Sequence, residues 1–249
     1  MKLDRIIAVR NNKTVYRDGD LCLKVFDNTY SKAQVLNEAL NHALVEQTGL
    51  NIPKLHEVTV IDGKWAIITD FIKGKTLDRL ISENPDKKDE YMDFFVNLQL
   101  EVLSKRCPLL TKNKDKMIRK IGESNLDATT RYELYTRLDT MPKHNKLCHG
   151  DFNPSNIIVS DDGKSYILDW SHATQGNSSA DVARTYLLLY IGYGKDDAEK
   201  YLDLFCDKSH IDKHYIKKWL PIVAAAQTVT CNKSELDFLL SWVNVVDFE

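Results

Sequence analysis

His149-Gly150-Asp151-Phe152-Asn153-Pro154-Ser155-Asn156-Ile157-Ile158, followed thirteen residues beyond Asn156 by Asp169 in Tyr166-Ile167-Leu168-Asp169-Trp170, is the stretch that organises the reading of this chain. Between Asn156 and Asp169 lie two apolar runs, Ile157-Ile158-Val159 and Ser165-Tyr166-Ile167-Leu168, separated by Asp161-Asp162-Gly163-Lys164. Runs of this length around such a turn predict a short hairpin, which brings Asn156 and Asp169 back together at its open end. Two carboxylates and an amide in one place are what phosphoryl transfer from ATP requires. One carboxylate meets the incoming hydroxyl, while the other carboxylate and the amide hold Mg²⁺. Asp151, Asn156 and Asp169 supply that set. A polar turn between two helices would account for Asp151 and Asn156 as turn or cap residues, but it leaves the hairpin and its acidic end without a reason.

The 249 residues are enough for a substantial core in one or two domains. A hydrophobic content of 43% with 28% charged residues is that of an ordinary globular protein. A net charge of −2 gives no basic face for nucleic acid. The opening Met1-Lys2-Leu3-Asp4-Arg5-Ile6-Ile7-Ala8 lacks the apolar run and cleavage site of a secretory signal. The apolar stretch Pro221 to Ala226 falls far short of a membrane span. Cys22, Cys107, Cys148, Cys206 and Cys231 are scattered and form no C-x-x-C pair, which points to thiols in a reducing cytoplasm, not disulfides or a zinc site. Cys148 reads as packing, since His149 is its only basic neighbour.

Strand patterns dominate the first seventy or so residues. Arg5 to Arg10, Thr14 to Arg17 and Leu21 to Phe26 alternate or run apolar, and Leu55 to Ile61 with Lys64 to Phe71 predict a hairpin around Asp62-Gly63. Between them Val35, Leu36, Ala39, Leu40, Ala43 and Leu44 recur at helical spacing, with Ser31 as cap and Gly49 as stop. From Thr76 the pattern is helical except for the 157–169 hairpin, with apolar faces in Asp89 to Lys105, Leu126 to Leu138, Ser179 to Ile191, Asp196 to Cys206 and the segments starting at Lys213 and Ser234. The expectation is an α+β chain: a sheet-rich part at 1–71, a hinge at 72–75 and a larger helical part at 76–249.

Lys24 is the one cation in Leu21-Cys22-Leu23-Lys24-Val25-Phe26, and Glu38 follows fourteen residues later on the border of the helix's apolar face. Each alone would read as a solvated surface charge. Together, a strand lysine held by a helix glutamate is the device that presents an ammonium to nucleotide phosphates.

Lys24, Glu38, Ile68-Thr69-Asp70-Phe71-Ile72, His149-Gly150-Asp151-Phe152-Asn153-Pro154-Ser155-Asn156 and Ile167-Leu168-Asp169-Trp170 together resemble the aminoglycoside phosphotransferase and choline kinase superfamily, small-molecule relatives of the protein kinases. The resemblance runs from about residue 5 to the helices after Asp169. It implies a bilobal protein-kinase-like fold, with an antiparallel-sheet lobe and a helical lobe, that uses ATP (or GTP) and Mg²⁺. Asp151 is then the catalytic base towards an acceptor hydroxyl, Asn156 and Asp169 the metal ligands, and Lys24 the phosphate contact tied to Glu38. Backbone groups of Asp70 and Ile72 meet the adenine. His149 has a structural place in the loop, Asp181 supports that loop from the start of the next helix, and Arg184 is a helix-face cation without a role. One departure stands out: Val9-Arg10-Asn11-Asn12-Lys13-Thr14 contains no glycine to close over phosphates, leaving Lys13 or Thr14 as substitutes.

Only eleven residues, Trp170 to Ala180, separate Asp169 from Asp181, too few for a peptide-docking activation loop, so the partner is a small hydroxyl compound and not a protein, nucleic acid or membrane. Its nature stays open. Glu235, Asp237, Asp247 and Glu249 could face a cationic acceptor such as an aminoglycoside. Trp170, Tyr186, Tyr190, Tyr193, Trp219 and Trp242 could cage a quaternary amine. Choline, thiamine, sugar and hydroxy-amino-acid kinases share the motifs, and a nucleotide-binding scaffold without transfer is the alternative that the glycine-free loop suggests. A hydrolase is not indicated, because no Ser or Cys sits in a nucleophile elbow.

Overall fold

A computed structural model describes residues 5–10 and 12–243, the side chain of Arg10 excepted. The chain begins with strands β1 (Arg5–Arg10), β2 (Lys13–Asp18) and β3 (Leu21–Phe26), then helix α1 (Lys32–Glu46), strands β4 (Leu55–Ile61), β5 (Lys64–Asp70) and β6 (Gly74–Thr76), and helix α2 (Leu77–Glu83). Helices α3 (Lys88–Ser104), α4 (Asn113–Glu123) and α5 (Ala128–Thr140) follow, then β7 (Lys146–Cys148), β8 (Ile157–Ser160), β9 (Ser165–Ile167) and β10 (Thr174–Gly176). The remainder is helical: α6 (Ser178–Tyr193), α7 (Lys195–Ser209), α8 (Lys213–Lys217), α9 (Leu220–Gln227) and α10 (Lys233–Val243). An antiparallel sheet thus precedes a mostly helical part, the α+β class expected.

Packing groups the chain into two units, Met1–Pro85 with Pro154–His172, and Asp86–Asn153 with Ala173–Glu249. Packing therefore divides the chain elsewhere than the pattern break at 72–75. Part of that segment is itself a strand, since β6 pairs with β8 and β8 with β9 in a three-stranded sheet.

The first unit is built on a five-stranded antiparallel sheet in the order β1-β2-β3-β5-β4. In β3, Cys22, Lys24 and Phe26 share one face by strand alternation, and Lys24 lies opposite Ile67 of β5. Phe26 and Ile67 pack with Val35 and Ala39 of α1 into a core that Trp65, Val58, Leu55 and Tyr30 extend. The helix starts where Ser31 and Gln34 form a reciprocal capping box. That cap fixes the phase of α1, so the same turns that bury Val35 and Ala39 bring Glu38 to the sheet face that carries Lys24.

In the second unit, α9 is buried along Leu220 to Ala226 and packs with α4, α6 and α10. Phe95 of α3 stacks at 4.8 Å on Phe152 and meets Tyr201 of α7 at 5.8 Å. Among the described residues no helix is long and apolar enough to cross a membrane, and all five cysteines are free thiols.

Gly74 tests the β6–β8 pairing. A Cβ there would lie 2.2 Å from the Val159 carbonyl oxygen and 2.7 Å from the Ser160 Cα, both backbone atoms that cannot swing aside. Gly74→Ala is expected to cost about 1–3 kcal/mol, read as a lower urea midpoint at unchanged slope.

Candidate active site

A cavity of about 290 Å³ opens within the first unit. Val15, Ile67, Ile72, Ile158 and Leu168 give it apolar walls, and Lys13, Lys24, Glu38, Asn156 and Asp169 line it as well. Lys24 Nζ donates to Glu38 Oε1 and, at 3.2 Å, to Asp169 Oδ1. Lys13 Nζ reaches the other oxygen of the same carboxylate, Asp169 Oδ2, at 3.0 Å. Two ammonium groups and two carboxylates thus form one chain of ion pairs.

The charges hold one another. Burial works against the Lys24 ammonium, but the Asp169 and Glu38 carboxylates outweigh it and raise its pKa far above the usual lysine range. Asp169 is likewise opposed by burial, yet Lys24 and Lys13 keep it ionised well below the ordinary carboxylate range. Lys13 is the loose member: burial first, then the neighbouring Lys24 charge, lower its pKa despite the pull of Asp169.

The hairpin expected from the sequence is present, with Ile157 opposite Ile167 and Ile158 opposite Tyr166. The Leu168 N–H donates to the Asn156 carbonyl at 2.8 Å, closing the open end and setting Asn156 beside the residue that precedes Asp169. Asp169 itself has φ 55°, a left-handed backbone uncommon for a residue with a side chain. Such strain persists only where its surroundings over-determine it, and here two lysines grip the carboxylate.

Asp70 and Ile72 also line the cavity. The Asp70 N–H is taken by the Lys54 carbonyl at 3.0 Å, and its side chain by His56 at 2.7 Å and the Lys54 N–H at 3.0 Å. Ile72 makes no hydrogen bond to any other described residue.

The residues present fit a magnesium nucleotide. Apolar walls suit a base, an uncommitted backbone group at Ile72 suits its edge, and two lysines suit phosphates. Among the described residues no three His, Cys, Asp or Glu side chains cluster to hold a metal by themselves. One carboxylate and one amide are nevertheless enough for Mg²⁺ when phosphate oxygens and water complete the shell.

Asp151 belongs to the second unit, on a loop whose backbone is pinned from below. Gly150, at φ 80°, turns the chain as only glycine does readily. Its N–H donates to Asp181 Oδ1 at 2.6 Å. The Asp151 N–H donates to His149 Nδ1 at 3.2 Å. The Phe152 carbonyl accepts from the Thr185 hydroxyl at 3.1 Å; Thr185 accepts from Gln99 Nε2 at 3.0 Å, and Gln99 Oε1 accepts from the Tyr201 hydroxyl. Asp181, at the first turn of α6, thus supports the loop, and Cys148 is fully buried with burial pushing its thiol pKa up, in keeping with packing.

The sequence pattern assigns Arg184 no role. In the structure it stands one turn beyond Asp181, with Nη2 3.6 Å from Asp151 Oδ1. It is three residues after Asp181 and therefore on the same helix face, which was the one signal for it. Lys13, named only as a substitute, proves to be a partner of Asp169.

The phosphotransferase enzyme family matches residues 103–217 of this chain. A search of the curated proteins finds no match. Among solved structures the fold is similar to aminoglycoside phosphotransferase APH(4)-Ia, at TM-score 0.69 and 14% identity over 95% of this chain and 90% of that one. It is similar to the aminoglycoside-3'-phosphotransferase of type VIII at TM-score 0.67 and 14% identity, over 89% and 93% of the two chains. Choline kinase LicA from Streptococcus pneumoniae gives TM-score 0.62 and 15% identity over 100% of this chain and 88% of that one. A thermostable mutant of the first has been solved as a ternary complex with AMP-PNP and hygromycin B, and LicA in complex with AMP. At these identities the likeness is one of fold.

The pinned loop makes a stability prediction. Thr185→Val keeps the shape of the side chain but leaves the Phe152 carbonyl and Gln99 without their buried partner. It should cost about 1–3 kcal/mol, measured by chemical denaturation, and a cost below about 0.5 kcal/mol, the low end for one hydrogen bond, would remove Thr185 from the support of the loop.

Proposed function

We propose that this chain, whose residues 103–217 match the phosphotransferase enzyme family and whose fold is similar to those of aminoglycoside phosphotransferases and a choline kinase, transfers the γ-phosphoryl group of ATP, with Mg²⁺, to a hydroxyl of a small molecule. The observation that carries this reading is the Lys24 ammonium clasped by Glu38 and Asp169 in a cavity that Asn156 also lines. Lysine is a compact cation on a flexible stem; fixing it on two carboxylates gives it one direction in which to meet phosphate.

In this reading Asp151 accepts the proton of the acceptor hydroxyl as that oxygen bonds to the γ-phosphorus. The bond from phosphorus to the β,γ-bridging oxygen breaks, and ADP leaves with its electron pair. Lys24 binds the α- and β-phosphates, and Lys13 takes the part that glycine-loop amides play elsewhere, moving from Asp169 Oδ2 to a phosphate oxygen. Asn156 and Asp169 would hold Mg²⁺, which when bound would supply charge neutralisation for the phosphates. Ile72 offers its backbone to the base, with Asp70 beside it. The division of labour is one of positioning and electrostatics, as expected where the reaction needs little covalent help from the protein. Five free cysteines support a cytoplasmic setting.

Three substitutions separate the roles. Asp151→Asn should abolish acceptor-dependent ADP release while the affinity for Mg-ATP stays within about threefold, since Asp151 serves the acceptor. Asp169→Ala should remove the thermal shift that Mg²⁺ and nucleotide together confer. Lys13→Met should weaken Mg-ATP binding by about tenfold or more, the worth of one charged hydrogen bond. Calorimetry and ADP release on an acceptor panel measure all three, and nucleotide binding without turnover of any acceptor would favour a non-catalytic scaffold.

A further inference from the structure

The acceptor is the open part of the proposed function, and any assignment of its chemistry rests on that reading. Three kinds of recognition chemistry are present within the second unit. The acidic candidates do not gather. Glu235 spends both carboxylate oxygens on Asn232, at 2.9 Å to Nδ2 and 3.3 Å to its N–H, at the start of α10. Asp237 is exposed, and Asp247 and Glu249 lie outside the described residues. Of the aromatic candidates, Tyr186, Tyr190 and Trp242 gather, but on one another and on Phe238. Tyr186, Tyr190, Phe238 and Trp242 pack with ring centroids 4.9–6.1 Å apart, mostly edge to face, which fills the space a cation would need. The Tyr186 hydroxyl is already committed to Glu199 Oε1 at 2.6 Å.

The cations are different. Arg184 Nη2 stands 3.6 Å from Asp151 Oδ1, while its Nε is buried without a hydrogen-bond partner among the described residues. Lys120 of α4 is only 9% exposed and its Nζ donates to a neutral partner, the Thr230 hydroxyl, at 3.2 Å. Lys116 lies one turn earlier on the same face of α4, at the i,i+4 spacing where like charges repel. The fields of Arg184 and Asp151 both act on Lys120, so this helix face and the catalytic carboxylate share one neighbourhood. Burial first, and then the surrounding cations, push Lys116 down to about 7 and Lys120 down to about 8. The acidic groups that face the cluster are Asp151, Asp181, Glu123 and Glu235. Asp181 is engaged by Gly150 and Glu235 by Asn232. Arg184, with its unsatisfied Nε, and Lys120, on a neutral hydroxyl, are crowded and half-dehydrated cations that become more favourable once an anion joins them.

We propose that the acceptor carries an oxyanion, a carboxylate or phosphate, next to its reacting hydroxyl, and that Arg184, Lys116 and Lys120 bind that group while Asp151 meets the hydroxyl. The substrate class is a hydroxy acid or a phosphorylated alcohol, not a polyamine or a quaternary amine.

The test titrates the full chain calorimetrically with D-glycerate, D-gluconate and glycerol 3-phosphate, and with uncharged glycerol. At least one anion should bind saturably, glycerol should not, and Lys120→Met or Lys116→Met should weaken the anion tenfold or more. A carboxylate or phosphate preference shows which oxyanion is meant. Lys13→Met separates this site from the nucleotide cavity: loss of the anion there, with no effect of Lys116→Met and Lys120→Met, overturns the proposal, as does the absence of saturable binding by every anion. ADP release with the same anions, kanamycin and choline then separates the two levels of inference. Turnover of kanamycin or choline that needs Asp151 overturns the anionic acceptor and leaves the phosphotransferase standing. Failure to bind Mg-ATP at all sinks the phosphotransferase reading itself.

Discussion

Asp169 is held by two lysines at once, and the organisation of the first unit follows from that. Lys13 and Lys24 take one oxygen each, and Glu38 takes Lys24 from the other side. Four partly buried charges that sum to zero tolerate a low-dielectric cavity; any one of them alone would not. The arrangement demands that a strand, a helix and the end of a hairpin arrive at one point. It also tolerates a left-handed backbone at Asp169 that would be unfavourable elsewhere. Under the proposed function, a polyphosphate entering such a cavity would exchange ion pairs instead of creating them, which would lower the cost of desolvating the site.

The second unit solves a different problem, that of presenting a carboxylate on a loop without letting it wander. It does so largely through the backbone, and Arg184 and Asn153 add side-chain contacts to the carboxylate itself. Gly150 is tied to Asp181, and Phe152 to the chain of Thr185, Gln99 and Tyr201. The Phe95 and His149 rings both pack on Phe152, at 4.8 and 5.7 Å. A loop whose polar backbone atoms are paired and whose one large side chain is packed leaves little freedom to the residue between them.

Much of this could be read from the sequence because its signals were periodic or local. The alternation in 21–26 and the helical spacing after Ser31 together put Lys24 and Glu38 on facing surfaces, and the turn at 161–164 closed the hairpin onto Asn156 and Asp169. What escaped had no periodic signal. Helix α4 is the exception, since Met117, Lys120 and Ile121 recur at helical spacing, but charged residues fill most of its other positions and mask that stripe. Strand β6 is three residues long, and its pairing with β8 depends on a glycine that admits the facing backbone. Lys13 looked like a loop lysine and Arg184 like a helix-face arginine. Only tertiary structure says which solvated-looking cation has a carboxylate in front of it.

The hairpin that completes the first unit is encoded far from the rest of it, because residues 154–172 pack with residues 1–85 while 86–153 belong elsewhere. During synthesis the amino-terminal sheet leaves the ribosome with Lys13, Lys24 and Glu38 in place and Asp169 not yet made. At about 5–20 residues per second that interval lasts roughly 4–17 s. For that time the nascent sheet sets Lys13 and Lys24 against Glu38 alone, a net positive charge, and lacks the Ile158 and Leu168 that wall its cavity. The chain is most exposed to misfolding while the ribosome is still translating the loop that carries Asp151.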